Sequence, residues 1–234
     1  MLPMSQSPVL ALIPAWNEEA YIAPVVEATG KQLPVLVVDD GSTDETPSLA
    51  TAAGATVVRH GNNQGKGLAL ITGFTWALGQ GYQAVLTLDG DGQHDPVEIP
   101  KFLDAYQSDF GDLIIGQRDF HQMPFPNRFA NPIGSRLLSI ALKQRIHDNQ
   151  CGYRLHTRRL LEVLDLKTTG FELEVEVVIQ AVCKGMRIGW VPIRTIYGTG
   201  KKSYFHPFHD SRRFLGMAWH AYQCRRRSDR SERL

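Results

Sequence analysis

Long apolar runs are missing from this 234-residue chain. No stretch approaches the ~20 apolar residues that span a bilayer. The start, MLPMSQSPVL, has no basic n-region and no extended apolar core, so it does not read as a signal peptide. Charge of one sign is also missing: 25 Lys+Arg stand against 24 Asp+Glu, which excludes a global field for nucleic acid. Cysteine is scarce. Cys151, Cys183 and Cys224 form no C-x-x-C pair and no metal-ligand spacing, and the expectation is buried or idle thiols in a reducing cytosol. Repeats and low-complexity blocks are absent. These absences predict a cytoplasmic protein that reaches a membrane, if at all, only peripherally.

What is present alternates. Short apolar, β-branched runs occur at 9–13, 35–38, 56–58, 84–88 and 113–115. They predict strands buried on both faces and therefore mostly parallel. Helical patterns fall between them, at about 18–29, 44–53, 66–79 and 96–107. Ser42 or Thr43 suits the cap of the second, and Asp95-Pro96 the cap and first turn of the fourth. This rhythm predicts an α/β sandwich. It breaks at 117–135, which reads as a long loop entering a helix at about 132–145. A turn at "DNQCGYRL", a helix near 172–184, a strand around 187–196 and a helix near 208–224 follow.

In open α/β sheets ligands bind at the carboxyl ends of the strands. The polar turns of this chain fall there: "PAWNEE" from Pro14, "DDGSTDET" from Asp39, "GNNQGKG" from Gly61, "DGDGQHD" from Asp89, and "GQR" ending at Arg118. Two common phosphate sites are excluded. No G-x-G-x-x-G follows the first strand, and Gly61 to Lys66 is one residue short of a Walker A loop, with Gly67 in place of its hydroxyl. An EF-hand fails as well, because His94 stands where its sharp-turn glycine belongs. Asp89 and Asp91, spaced by Gly90 at a strand end, can turn both carboxylates to one hard cation. Mg²⁺ or Mn²⁺ accepts one or two carboxylates and completes its shell with phosphate oxygens and water, and Gln93 offers a neutral oxygen.

In order, "IPAWNEE", "VVDDGSTDET", "NQGKGLALITGF", "LDGDGQHDP", "GQR" and "DNQCGYRL" closely resemble family 2 glycosyltransferases, in the dolichol-phosphate mannose synthase-like or polyprenyl-phosphate branch. The resemblance covers roughly residues 8–215. It implies a single-domain GT-A (Rossmann-like) three-layer sandwich with a mostly parallel sheet. Residues 1–116 would form the nucleotide-sugar half, 117–224 the acceptor half, and 225–234 a disordered basic tail. It also implies an inverting, metal-dependent hexosyltransferase that moves sugar from a GDP- or UDP-linked donor to a polyprenyl phosphate. The alternatives are an alcohol acceptor with a carboxylate base, or a non-catalytic sugar-nucleotide sensor.

Position by position, the resemblance puts Pro14, Trp16 and Glu18 at the nucleoside. Asp39 and Asp40 go to base and ribose, in either order. Asp89, Gly90, Asp91 and Gln93 go to the metal and donor, and Arg118 to phosphate. Lys66 matches a donor position or is a solvated helix-start lysine. Asp148 and Glu172 are the base candidates should the acceptor be an alcohol. Glu172 and Glu174 open a helix near the acceptor or simply favour its dipole. Arg154 is a site residue or an internal salt-bridge partner. Arg128, Lys201, Lys202 and Ser203 match an acceptor-phosphate strip, extended by His206, His209, Arg212 and Arg213, or a solvated basic face. Phe208, Leu215, Trp219 and Tyr222 form one stripe of the last helix, flanked by Arg225, Arg226 and Arg227. That stripe would meet a membrane, the core or a second subunit.

Overall fold

In the computed structural model, the structure describes residues 7–123, 127–170, 172–194, 196 and 221, with the side chains of 122 and 127–130 excepted. Strand β1 (Val9–Ala15), β2 (Val35–Asp39), β3 (Thr56–Arg59), β4 (Ala84–Thr87) and β5 (Leu113–Gln117) follow the apolar runs. Helices α1 (Ile22–Gly30), α2 (Thr46–Ala52), α3 (Lys66–Gly79) and α4 (Ile99–Gln107) lie between them. β1, β2 and β4 are buried along their whole length, as continuous β-branched runs require. α3 turns Gly67, Ala69, Leu70, Gly73, Phe74 and Ala77 inward at helical spacing.

The seven-stranded sheet has the order β3-β2-β1-β4-β6-β5-β7, where β6 is Arg154–Thr157 and β7 is Ile188–Pro192. All pairings are parallel except those of β6, which runs against both β4 and β5. A turn was expected at β6. Four residues, three of them polar, carry no period of their own. Arg154 and His156 are buried only because β4 and β5 flank them. Because β6 is antiparallel, its amino end lies at the edge where β1, β2, β4 and β5 end. It therefore carries residues 151–153 into that edge.

Three more expectations change. α5 runs Asn127–Leu142, starting inside the segment read as a loop. Pro132 is inside the helix, whereas its preference for a first turn suggested a start. A 3₁₀ turn, Phe120–Gln122, precedes it, capped by Asp119. Ser42 and Thr43 do not cap α2. Asp44 Oδ1 accepts from Thr46 N at 3.0 Å, and Ser42 Oγ accepts instead from Asn17 N at 2.9 Å. Asp95 does cap as expected, accepting from Val97 N at 3.0 Å in the 3₁₀ turn that opens α4. Cys183 is disulfide-bonded, and Cys151 is the free cysteine among the described residues. That corrects the expectation of idle thiols, since sequence spacing does not report distance in space. A short helix, α6 (Arg158–Leu161), and α7 (Leu173–Cys183) complete the described elements. Lys201, Lys202, Ser203, the basic positions after them and the stripe of the final helix lie outside the described residues, as does the side chain of Arg128.

Candidate active site

The turns after β1 and β2 are tied together. Asn17, in the left-handed region at φ 53°, accepts at Oδ1 from Thr43 N at 2.9 Å, and Glu18 N donates to Thr46 Oγ1 at 2.7 Å. Asn17 tolerates this backbone because its short amide bonds locally. The sequence reading passed over it. Pro14 is buried within β1, while Trp16 projects beyond it, 43% exposed. Trp16 thus offers a ring face at the strand edge.

The two aspartates after β2 do different work. Asp40 spends both oxygens on the chain: His60 Nδ1 at 2.7 Å, Gln64 N at 3.0 Å and Gly65 N at 2.7 Å. It holds the turn that starts α3. Asp39 accepts from Ser42 N at 3.3 Å, but its Oδ2 is buried without a hydrogen bond, although Arg59 Nε stands 3.0 Å away. That oxygen is held by the Arg59 charge without an aligned hydrogen bond, and a donor arriving with a ligand would complete it. Gly41, at φ 73°, admits no side chain here: a Cβ would lie 2.5 Å from the Asn62 backbone.

At the end of β4 the charges meet their partners. Lys66 Nζ lies 2.6 Å from Asp89 Oδ1 and 2.9 Å from Glu174 Oε1. Burial alone would lower the Lys66 pKa, but Asp89 and then Glu174 outweigh it and raise it. Burial would likewise raise Asp89, and Lys66, with help from Arg118, holds it below the usual carboxylate range. Lys66 is therefore an ion-pair bridge rather than a solvated lysine. Glu174, not Glu172, is the helix carboxylate brought to Asp89. Gly152 makes room for the cluster: a Cβ there would stand 2.8 Å from Glu174 Oε1 and 3.1 Å from Lys66 Nζ.

His94 Nδ1 accepts from Asp89 N at 3.0 Å, so that nitrogen carries no proton and its 3.7 Å approach to the carboxylate is no ion pair. Burial, before any charge, lowers its pKa and agrees with a neutral ring. Asp91 Oδ1 accepts from Gln93 N at 3.0 Å, which tightens the turn. Gly90 sits close under it, its absent Cβ 3.4 Å from the Ile13 and Ile22 side chains and 3.6 Å from Glu18. Among the described residues no group of three or more His, Cys, Asp or Glu gathers as a metal site. The donor set still fits Mg²⁺ or Mn²⁺, which need only one or two hard carboxylates beside a nucleotide's phosphates.

At the end of β5, Arg118 makes a two-pronged pair with Asp148: Nε to Oδ2 at 2.7 Å and Nη2 to Oδ1 at 2.9 Å. Asp148 is fully buried and also accepts from Gln150 N and Cys151 N. Cys151 is a protonated thiol, its pKa pushed up to about 12 by burial. Arg154 is internal. It donates to the carbonyls of Cys151 at 2.6 Å, Asn149 at 2.9 Å and Glu174, stitching the 149–151 turn to the start of α7. Its partners are carbonyls rather than the carboxylate expected. Glu172 folds over Gly170, where a Cβ would meet its Oε2 at 2.3 Å. A groove of about 390 Å³ opens beside Arg118, walled by Phe120, His121, Pro192 and Ile193.

A mostly parallel sheet whose strand ends gather the Asp89–Asp91 turn, its Lys66 bridge and the Arg118–Asp148 pair has the architecture of the GT-A class. Comparison agrees on the fold. A glucosyl-3-phosphoglycerate synthase from Mycobacterium tuberculosis, solved with Mn²⁺, UDP and glucosyl-3-phosphoglycerate, superposes with a TM-score of 0.72 over 94% of this chain and 81% of that one, at 20% identity. Glycosyl transferase family 2 matches residues 11–165, and the chain belongs to that family. A polyprenol monophosphomannose synthase from Mycolicibacterium smegmatis is 30% identical over 201 residues, 79% of this chain and 76% of its own length. An undecaprenyl-phosphate mannosyltransferase from Micrococcus luteus is 31% identical over 201 residues, 79% of this chain and 82% of its own. The protein is a glycosyltransferase of the polyprenyl-phosphate branch.

Proposed function

We propose that this enzyme transfers a hexose, with inversion, from a nucleoside diphosphate sugar, GDP- or UDP-linked, to a polyprenyl phosphate. The observation that carries this reading is Arg118, fixed by buried Asp148 and lining, with Gln117, Asp119 and His121, a groove whose other walls are the apolar Phe120, Pro192 and Ile193. A guanidinium beside Phe120, Pro192 and Ile193 matches an anionic head on an apolar chain. The relatives named above act, by name, on polyprenol and undecaprenyl phosphates, and the Mycobacterium tuberculosis structure holds UDP and Mn²⁺.

The chain's residues divide the work. Trp16, Glu18 and Asp39 receive the nucleoside, on the frame set by Pro14 and Asp40. Asp89 and Asp91, with Gln93, would hold Mg²⁺ or Mn²⁺. When bound, the cation supplies electrostatic stabilisation of the leaving diphosphate. Lys66 neutralises Asp89 and Glu174 and stands ready as a second cation at the donor. A phosphate acceptor is already an anion, so it attacks the anomeric carbon from the face opposite the leaving group without surrendering a proton. Asp148 then serves as the positioner of Arg118, not as a base. Glu172 is the remaining carboxylate for an alcohol acceptor.

The test is a donor screen by thermal shift with Mn²⁺, followed by transfer to polyprenyl phosphate. Transfer to the lipid phosphate is the expected result. Transfer to alcohol acceptors alone would overturn the reading.

A further inference from the structure

α5 is apolar on both faces. Its inward face mixes polar Asn131 and Ser135, 6% and 3% exposed, with buried Leu138 and Leu142. Ser135 Oγ donates to Asn149 Oδ1 at 2.9 Å, and Asn131 Nδ2 lies 3.3 Å from Met123 Sδ. Its outward face is aliphatic: Ile133, Leu137 and Ile140 are 60%, 42% and 73% exposed. With Arg136, also exposed, they fall at i, i+3, i+4 and i+7, one stripe of the helix, and exposed Lys143 follows just past its end. Three large aliphatics on one helical face is a marked patch, and patches of this kind mark interaction sites.

The charge around the stripe chooses the partner. No acidic residue occurs between Asp119 and Asp148, while Arg128, Arg136, Lys143 and Arg145 fall in that interval. A protein partner would ask for mixed charge. A row of aliphatics on a segment whose only formal charges are cations matches an anionic lipid surface, where the apolar face enters the acyl boundary and the cations meet headgroups. The position fits as well. The Asn131–Met123 contact seats α5 on the segment that includes the 3₁₀ turn Phe120–Gln122, and that turn lines the groove beside Arg118.

We infer that the Ile133–Leu137–Ile140 face of α5 docks this enzyme on an anionic bilayer surface, with the Arg118 groove turned toward the headgroups. The groove half of this statement rests on the proposed polyprenyl phosphate acceptor. The docking half does not. This surface is built from residues other than the final-helix stripe considered in the sequence, which lies outside the described residues.

The experiment is cosedimentation of the full chain with phosphatidylglycerol-containing and pure phosphatidylcholine vesicles, at low and high salt. The variants are Leu137→Glu/Ile140→Glu, with Val97→Glu as a control at another exposed aliphatic, 69% exposed. Wild type and Val97→Glu are expected on the anionic vesicles, released by salt. The double variant should lose about a hundredfold or more in partitioning, from two lost aliphatic contacts and two added charges. If it does not fold, Leu137→Gln/Ile140→Gln gives the same comparison with a smaller loss. Binding of the variants equal to wild type, or no wild-type binding at low salt, overturns the inference. So does a wild-type dimer in sedimentation velocity that the double variant dissociates while neither binds vesicles, because the stripe is then a subunit interface.

Transfer assays separate this inference from the proposed function. The double variant should keep transfer to a water-soluble short-chain prenyl phosphate and lose transfer to long-chain polyprenyl phosphate in vesicles. Stripe-dependent vesicle binding without transfer to either acceptor in wild type would sink the proposed function and leave the docking face standing.

Discussion

Replacing Asp148 with Asn separates a positioning carboxylate from a general base. Asp148 is fully buried, takes both prongs of Arg118, and accepts from Gln150 N and Cys151 N. Asn keeps the shape and one acceptor oxygen, but it turns an amide NH₂ toward a donating guanidinium. Removing one side of a buried ion pair costs ~3–5 kcal/mol. Arg118 retains 15% side-chain exposure and can recover some hydration, so the expected loss is about 2–4 kcal/mol. For a domain of this size each kcal/mol moves Tm by about 2–4 °C, which puts the fall at about 5–15 °C. Once Arg118 is loose, kcat/KM for the lipid phosphate should drop about ten- to a hundredfold, mostly through KM, with the pH–rate profile unchanged. A general base would behave otherwise: its loss costs ~10²–10⁴ in kcat and removes the acidic limb of the profile. The assay is transfer kinetics across pH beside thermal unfolding. Abolished kcat in a folded Asp148→Asn that still binds donor would refute the positioning role and point to an alcohol acceptor.

Asp91→Asn should abolish Mn²⁺-dependent nucleotide-sugar binding and leave the melting curve of the unliganded protein nearly unchanged; normal turnover would remove Asp91 from the metal site. Lys66→Met leaves Asp89 and Glu174 without their shared cation, so nucleotide-free Mn²⁺ affinity, read by electron paramagnetic resonance, should rise while stability falls by about 2–4 kcal/mol; a weaker Mn²⁺ affinity would show that Lys66 does not compete with the ion. His156 is pushed down to about 3 by burial and then by Arg154, so the folded ring stays neutral while the unfolded ring charges below its ordinary 6.5. This group therefore costs nothing above pH 6.5 and removes stability as pH falls from 6.5 toward 3, up to about 3–5 kcal/mol. His156→Leu should flatten the acid side of the stability curve in urea titrations, and an unchanged slope would contradict the assignment. Gly67→Ala places a Cβ 2.5 Å from the Thr169 backbone and should destabilise by about 1–3 kcal/mol in the same titrations, since neither backbone can yield cheaply; wild-type stability would mean the 169–170 segment moves freely.

Local pattern carried the sequence a long way. β-branched runs such as Val35–Val38 name buried strands without further help, because a strand buried on both faces needs no alternation. Strands of that kind fix where ligands can bind, so the turns at Asp39, Asp89 and Arg118 could be assembled into one edge from one dimension. Tertiary structure decided which partner each charge takes. Lys66 finds Glu174, Arg118 finds Asp148, and Arg154 caps carbonyls on two segments. Each of these contacts is set by the insertion of β6 between β4 and β5 and by the seating of α7 over their ends, neither of which any local period records. β6 itself, the helical start at Asn127 and the disulfide at Cys183 were illegible for the same reason. Four residues, a proline in mid-helix and a lone cysteine each have a local preference weaker than the packing that overrides it. Residue type and spacing determined the chemistry available to this protein, and the long-range pairing of buried charges determined which side chains are left to perform it.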